Sequence, residues 1–183
     1  MIGRIVVGSV ALVVGLVLGW VGHGFAGYNT ATETITTFQD WRTACPAATA
    51  KDQNCEIVQD ILDAKTHNEV ARIAVIREKG KPMIGVTLPL GVVLEPGMGL
   101  SFGTDAPKTA PYRTCAAAGC IAEIPVDDKL QAALDAGKDG KLVFAGPDGK
   151  PLQIPLSLKG YREAQNAYRS NEAKRGSWFW RLW

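Results

Sequence analysis

Four cysteines, Cys45, Cys55, Cys115 and Cys120, are the residues whose type and spacing bear most directly on chemistry. Four thiolates can hold zinc, a close pair can cycle between dithiol and disulfide, and in an oxidising compartment all four become cross-links. Zinc sites favour C-x2-C pairs, but the spacings here are C-x9-C and C-x4-C with no histidine close by. Neither pair is the C-x-x-C of a redox motif. Disulfides are therefore the expected chemistry. Three pairings are open, and proximity favours Cys45 with Cys55 and Cys115 with Cys120, loops whose closure contributes about 2 to 3 kcal/mol each by chain entropy.

Other reactive combinations are sparse. Nucleophilic catalysis needs a base within hydrogen-bond reach of a serine or cysteine, and the chain has two histidines. His23 lies at the edge of an apolar stretch, and His67 sits in the polar Lys65 to Glu69 segment, where a hairpin turn is expected. Gly97-Met98-Gly99 leads into Leu100-Ser101-Phe102-Gly103 without G-x-G-x-x-G spacing or a following helix, so no nucleotide site is indicated. Asp127 and Asp128 are adjacent acids at the expected start of a helix, where the helix dipole accounts for them. No catalytic residue, metal ligand or cofactor site is assigned.

The elements that carry these residues begin with an apolar segment. From Ile5 to Val21 there is no charge and Ser9 is the only polar side chain, and the run extends to Ala26 if His23 is included. As a helix, Ile5 to Ala26 would span about 33 Å, enough for a bilayer core of about 30 Å. Arg4 precedes it and no other Lys or Arg occurs before Arg42. The positive-inside rule then keeps the N-terminus in the cytoplasm and exports the rest, which is the compartment that permits disulfides. The core is longer than that of an ordinary signal peptide, so a retained single-pass anchor in the inner membrane is expected. Gly24-Phe25-Ala26 offers a cleavage site for the alternative, a protein released to the periplasm. Gly15 and Gly19 form a GxxxG pair that could admit a second helix.

Beyond a linker-like stretch the pattern is β-rich. Glu56 to Leu62, Glu69 to Arg77, Met83 to Leu90, Val92 to Leu94, Leu100 to Phe102, Tyr112 to Cys115 and Cys120 to Ile124 read as short strands between turn residues. Lys141 to Ala145 and Leu152 to Leu158 flank Gly146-Pro147-Asp148-Gly149 as the clearest hairpin. Asp127 to Ala136 is the one internal helix, with Leu130 and Leu134 four apart and Gly137 past its end. The expected fold is an all-β sandwich of short antiparallel strands with one internal helix, plus an N-terminal transmembrane helix and a C-terminal amphipathic helix. The expected divisions are an anchor or cleaved signal over 1–27, a linker over 28–37, a periplasmic sandwich over 38–160 and a basic aromatic tail over 161–183.

Charge follows the same divisions. Residues 1–27 carry +1, residues 28–158 carry 13 Lys and Arg against 16 Asp and Glu, and residues 159–183 carry 6 against 2. An acidic body does not imply a nucleic-acid partner. In the basic tail, Tyr161, Ala164, Ala167 and Tyr168 recur at helical spacing, and three of the five tryptophans fall in Trp178-Phe179-Trp180-Arg181-Leu182-Trp183. Aromatic rings with flanking arginines suit a bilayer interface or a partner surface. Trp178, Phe179, Trp180 and Trp183 are accordingly the expected contact residues, and packing of the tail onto its own sandwich is the alternative.

Four segments, in order, resemble the invasion-associated locus B family of bacterial envelope proteins. They are Phe38-Gln39-Asp40-Trp41 with Cys45, then Leu88-Pro89-Leu90-Gly91-Val92 with Pro96-Gly97-Met98, then Cys115 through Gly119-Cys120, and Ile154-Pro155-Leu156-Ser157-Leu158-Lys159-Gly160-Tyr161. The resemblance covers about Phe38 to Tyr168. It implies a periplasmic or envelope β-sandwich without established catalytic activity, in a family first named for a role in host-cell invasion. The long leader and the Trp-rich end depart from the usual family pattern. The expected function is non-catalytic, through protein contacts in the envelope or as an accessory subunit of an inner-membrane complex. A small-ligand-binding or hydrolytic sandwich is the alternative from another class and would require a pocket with convergent polar groups.

Overall fold

The computed structural model describes residues 12–19, 33–47, 50 and 53–176. Residues 12–19 are helical (α1) and exposed. Then follow β1 (Thr34–Phe38), β2 (Trp41–Cys45), β3 (Glu56–Leu62), β4 (Glu69–Glu78), β5 (Lys81–Leu88), β6 (Met98–Phe102), β7 (Lys108–Ala110), β8 (Tyr112–Ala116) and β9 (Gly119–Pro125). The chain continues through α2 (Asp128–Ala136), β10 (Gly140–Ala145), β11 (Pro151–Leu156) and α3 (Tyr161–Gly176).

Alternation of side chains decides the layers. In β4, Ala71 and Ile73 are buried while Arg72 between them is not, and in β5 Ile84, Val86 and Leu88 share the same inward face. A seven-stranded sheet in the order β1-β2-β3-β4-β5-β9-β8 turns this face toward a four-stranded sheet, β11-β10-β6-β7. All paired strands are antiparallel. Met98, Leu100, Phe102, Leu142, Phe144 and Leu156 complete the core from the smaller sheet. The expected β-sandwich is thus present.

Helix α3 packs against β1, β2 and β3. Its buried Tyr161, Ala164 and Tyr168 belong to the same core as Trp41 of β2. The Trp41 and Tyr161 rings meet edge to face with centroids 5.0 Å apart, and the Trp41 indole N–H donates to the Ser157 carbonyl at 2.8 Å. The buried Thr43 hydroxyl donates to the Ala164 carbonyl at 2.9 Å. Burial pushes the Tyr161 hydroxyl far above its ordinary pKa, so it stays neutral. The apolar face expected to meet a membrane or a partner therefore packs on the protein's own sandwich from Tyr161 to Tyr168. Trp178, Phe179, Trp180 and Trp183 lie outside the described residues.

Helix α2 matches its expected signals. The Asp127 side chain accepts from the Leu130 N–H at 2.9 Å, and Gly137 closes the helix at φ 68°. The Lys108 ammonium, hydrogen-bonded to Asp127 at 2.5 Å, and then the Leu130 N–H lower the Asp127 pKa. A depressed carboxylate pKa adds stability above its unfolded value and loses it as pH falls through the folded value. Thermal melts of D127A and the unaltered chain between pH 2 and 7 should accordingly differ near neutrality and converge in acid. A pH-independent difference would assign the effect to something other than this carboxylate.

Other expectations need correction. β1 starts at Thr34, inside the segment read as a linker. Val92 to Leu94 is not a strand, because its backbone bond from Val93 to Ala145 of β10 is not continued into a ladder. β11 ends at Leu156 rather than Leu158. Among the described residues no helix is long and apolar enough to cross a membrane. The rest of the Ile5 to Ala26 span lies outside them. Gly15 and Gly19 stand on α1 with open space around them.

Candidate interaction pole

Both expected disulfides form: Cys45 with Cys55, linking the end of β2 to the start of β3, and Cys115 with Cys120, across the β8–β9 hairpin. They brace opposite ends of the large sheet, as the strand register shows. Thr34 stands opposite Cys45, so β1 begins beside the first disulfide, and the last turn of α3 reaches the same place, where Arg175 donates to the Pro46 carbonyl at 2.6 Å. Both ends of the described domain leave at this terminal pole.

At the other end of the strands, Leu62 opposes Glu69, Thr87 opposes Arg72, and Leu88 opposes Cys120. The β5–β6 connection, residues 89–97, is joined there to the smaller sheet by the Val93 N–H, which donates to the Ala145 carbonyl at 3.0 Å. Three uncharged stretches converge on this loop pole: Met83 to Leu94, Thr114 to Ala122 and Leu142 to Pro147. Leu90 (59% exposed) and Leu94 (56%) stand out of it, with Leu62 and Leu152 exposed alongside. Glu69, Leu88, Leu90, Ala117 and Gly119 line a depression in its surface. Connections between strands ordinarily carry polar residues, so the exposed aliphatic side chains here make this pole the candidate contact surface.

His67 lies in the Asp63–Asn68 turn at φ 55°, its N–H donating to the Asp63 carbonyl at 2.9 Å. Backbone N–H groups of Thr66 and Lys65 hold the Asp63 carboxyl below its usual range and tie the turn together. Among the described residues no group of three His, Cys, Asp or Glu could hold a metal. On the outer face of the large sheet, Arg42 pairs with Asp60, and Arg72 bridges Glu56 at 2.9 Å and Asp60 at 3.8 Å. These side chains lie over Val58, which is fully buried, and neutralise one another.

Sequence reasoning found the disulfides and the His67 turn but missed the loop pole. The available signal was Leu90 to Leu94, an apolar run between Pro89 and Pro96 that is too short and too broken by glycine and proline to be a core strand.

Residues 41–169 match the family model described as Invasion associated locus B (IalB) protein. Over 131 residues, which cover 70% of this chain and 75% of the relative, the chain is 30% identical to an invasion protein B homolog of Brucella abortus (strain 2308). The homolog of Brucella abortus biovar 1 (strain 9-941) gives the same identity and coverage. The crystal structure of invasion associated protein b from Bartonella henselae aligns with a TM-score of 0.66 at 24% identity, covering 76% of this chain and 99% of that one. That likeness is one of fold.

Proposed function

The chain belongs to the invasion associated locus B family, and from that premise we propose that it is a non-catalytic domain of the bacterial envelope, tethered at its terminal pole and binding a protein partner through its loop pole. One observation carries this reading: both ends of the described domain lie at the pole opposite the exposed Leu90 and Leu94. An apolar leader retained in the inner membrane would hold the terminal pole at the bilayer and turn the uncharged loops toward the periplasm. There they can meet a protein surface, as a free-standing contact factor or as an accessory subunit of a membrane complex. The acidic body argues against a nucleic-acid partner.

The test uses native protein extracted in mild detergent. N-terminal sequencing should find the leader retained, and size-exclusion chromatography should find the chain in a species larger than itself. The L90S/L94S variant should melt within about 0.5 kcal/mol of the unaltered chain, as exposed substitutions do, yet elute alone. A leader cleaved after Ala26 would overturn the tether, and an unchanged elution of L90S/L94S would overturn the loop pole.

A further inference from the structure

We propose that the loop closed by Cys45–Cys55 is a guanidinium-binding seat, filled by the chain's own Arg175, and that it holds the end of α3 only when the disulfide is formed. Four backbone carbonyls of this loop converge on one side chain. One terminal nitrogen of Arg175 donates to Pro46 O at 2.6 Å and Ala47 O at 3.3 Å, and the other to Ala50 O at 3.0 Å and Gln53 O at 2.7 Å. A planar fork with several fixed N–H directions fits such a set, whereas a single ammonium does not. The side chain is mostly buried, at 18% exposed, so the carbonyl dipoles act on it with little competition from water.

A second contact secures the same turn. The Glu172 carboxylate accepts from the Cys55 N–H at 2.8 Å and lies 3.8 Å from the Arg175 Nε. Two side chains from the last turns of α3 thus grip the loop, one through its carbonyls and one through the backbone of a cross-linked cysteine. The loop can present its carbonyls inward because its ends are tied; untied, those groups would turn to water. Closure breaks the S–H bonds of Cys45 and Cys55 and forms one S–S bond. The two electrons and two protons pass to a protein disulfide oxidant, which is reduced to its dithiol. The seat is thereby completed only in an oxidising compartment, and the chain beyond Gly176 then starts from a fixed point at the terminal pole.

Amide hydrogen exchange of the full-length chain tests this. R175A should raise exchange at Cys55 and over residues 170–175 by about tenfold or more while β4 and β5 keep their protection. R175K, which keeps the charge but not the fork, should do the same. Guanidinium chloride at about 50 mM, far below denaturing concentrations, should restore protection at Cys55 in R175A, and an equal concentration of sodium chloride should not. Opening the ring in C45A/C55A/R175A should abolish that rescue, and opening the other one in C115A/C120A/R175A should leave it. If the C45A/C55A/R175A chain fails to fold, the guanidinium rescue of R175A alone decides the seat. Unchanged exchange in R175A, or rescue by sodium chloride as complete as by guanidinium, would overturn the proposal. None of these outcomes depends on the tether or the loop pole.

Discussion

Replacing Gly160 with alanine is expected to lower the stability of the domain by about 3 kcal/mol or more. Gly160 has φ +84°, a conformation that costs a residue with a Cβ about 1 to 2 kcal/mol. The added Cβ would also stand 1.9 Å from the Phe38 carbonyl oxygen, the tightest approach at any described glycine. Forcing an atom into packed surroundings costs about 1 to 3 kcal/mol more. The displaced atoms are backbone, and they belong to the junction where the β1–β2 turn meets the start of α3. G149A is the control: its φ is +76°, but nothing lies within 4 Å of the new Cβ, so only the conformational cost remains. At about 2 to 4 °C per kcal/mol for a domain of this size, thermal melts should separate the two variants by several degrees. Equal midpoints would show that the Phe38 contact relaxes freely.

The second large effect is expected at Trp41. This residue is 1% exposed, stacks edge-on against Tyr161 and donates to Ser157. Truncating a buried Trp to alanine costs about 3 to 5 kcal/mol, from lost contact and the cavity left behind. Its indole also fills the space where the start of α3 meets the start of β2, so W41A should loosen the helix as well as the core. W41F separates the two contributions. It keeps most of the ring and loses the N–H, while Gln59 still donates to the Ser157 carbonyl at 3.2 Å. Its cost should be about 1 to 2 kcal/mol, one hydrogen bond and a partial void. Urea unfolding of both variants checks the order, and a W41F as unstable as W41A would transfer the effect to the hydrogen bond. Since Gly160 and Trp41 act on one junction, the double variant should lose less than the two single losses added together.

Local chemistry made part of this fold readable. The helix signals of Asp127 and Gly137, the Gly-Pro-Asp-Gly turn between β10 and β11, and the nearness of each cysteine pair all act within a few residues. β1 and β2 were obscured because the turn between them has no glycine; Gln39 takes the positive φ of 53°. β7 is three residues long, below any periodic pattern. The seat of α3 is a long-range fact. Its apolar spacing at Tyr161, Ala164 and Tyr168 was plain, but a helix face does not state what it meets, and a membrane and the inner face of a sheet ask for the same residues. The loop pole was hidden for a related reason, since strand register brings its segments together. Val92 to Leu94 was misread because β-branched residues fit a strand, yet exposure at a connection leaves them without a ladder.

The separation of the poles has a mechanical consequence. If the terminal pole is held at a membrane and the loop pole by a partner, any pull between them runs lengthwise along the strands. β4 and β5 are paired without interruption from Arg72 opposite Thr87 to Glu78 opposite Lys81, so their rungs lie across that line. Lengthwise load strains all the rungs of a ladder together in shear, whereas a pull at one end peels them singly. A domain held in this way would act as a stiff strut between its two attachments, and would yield first at an attachment.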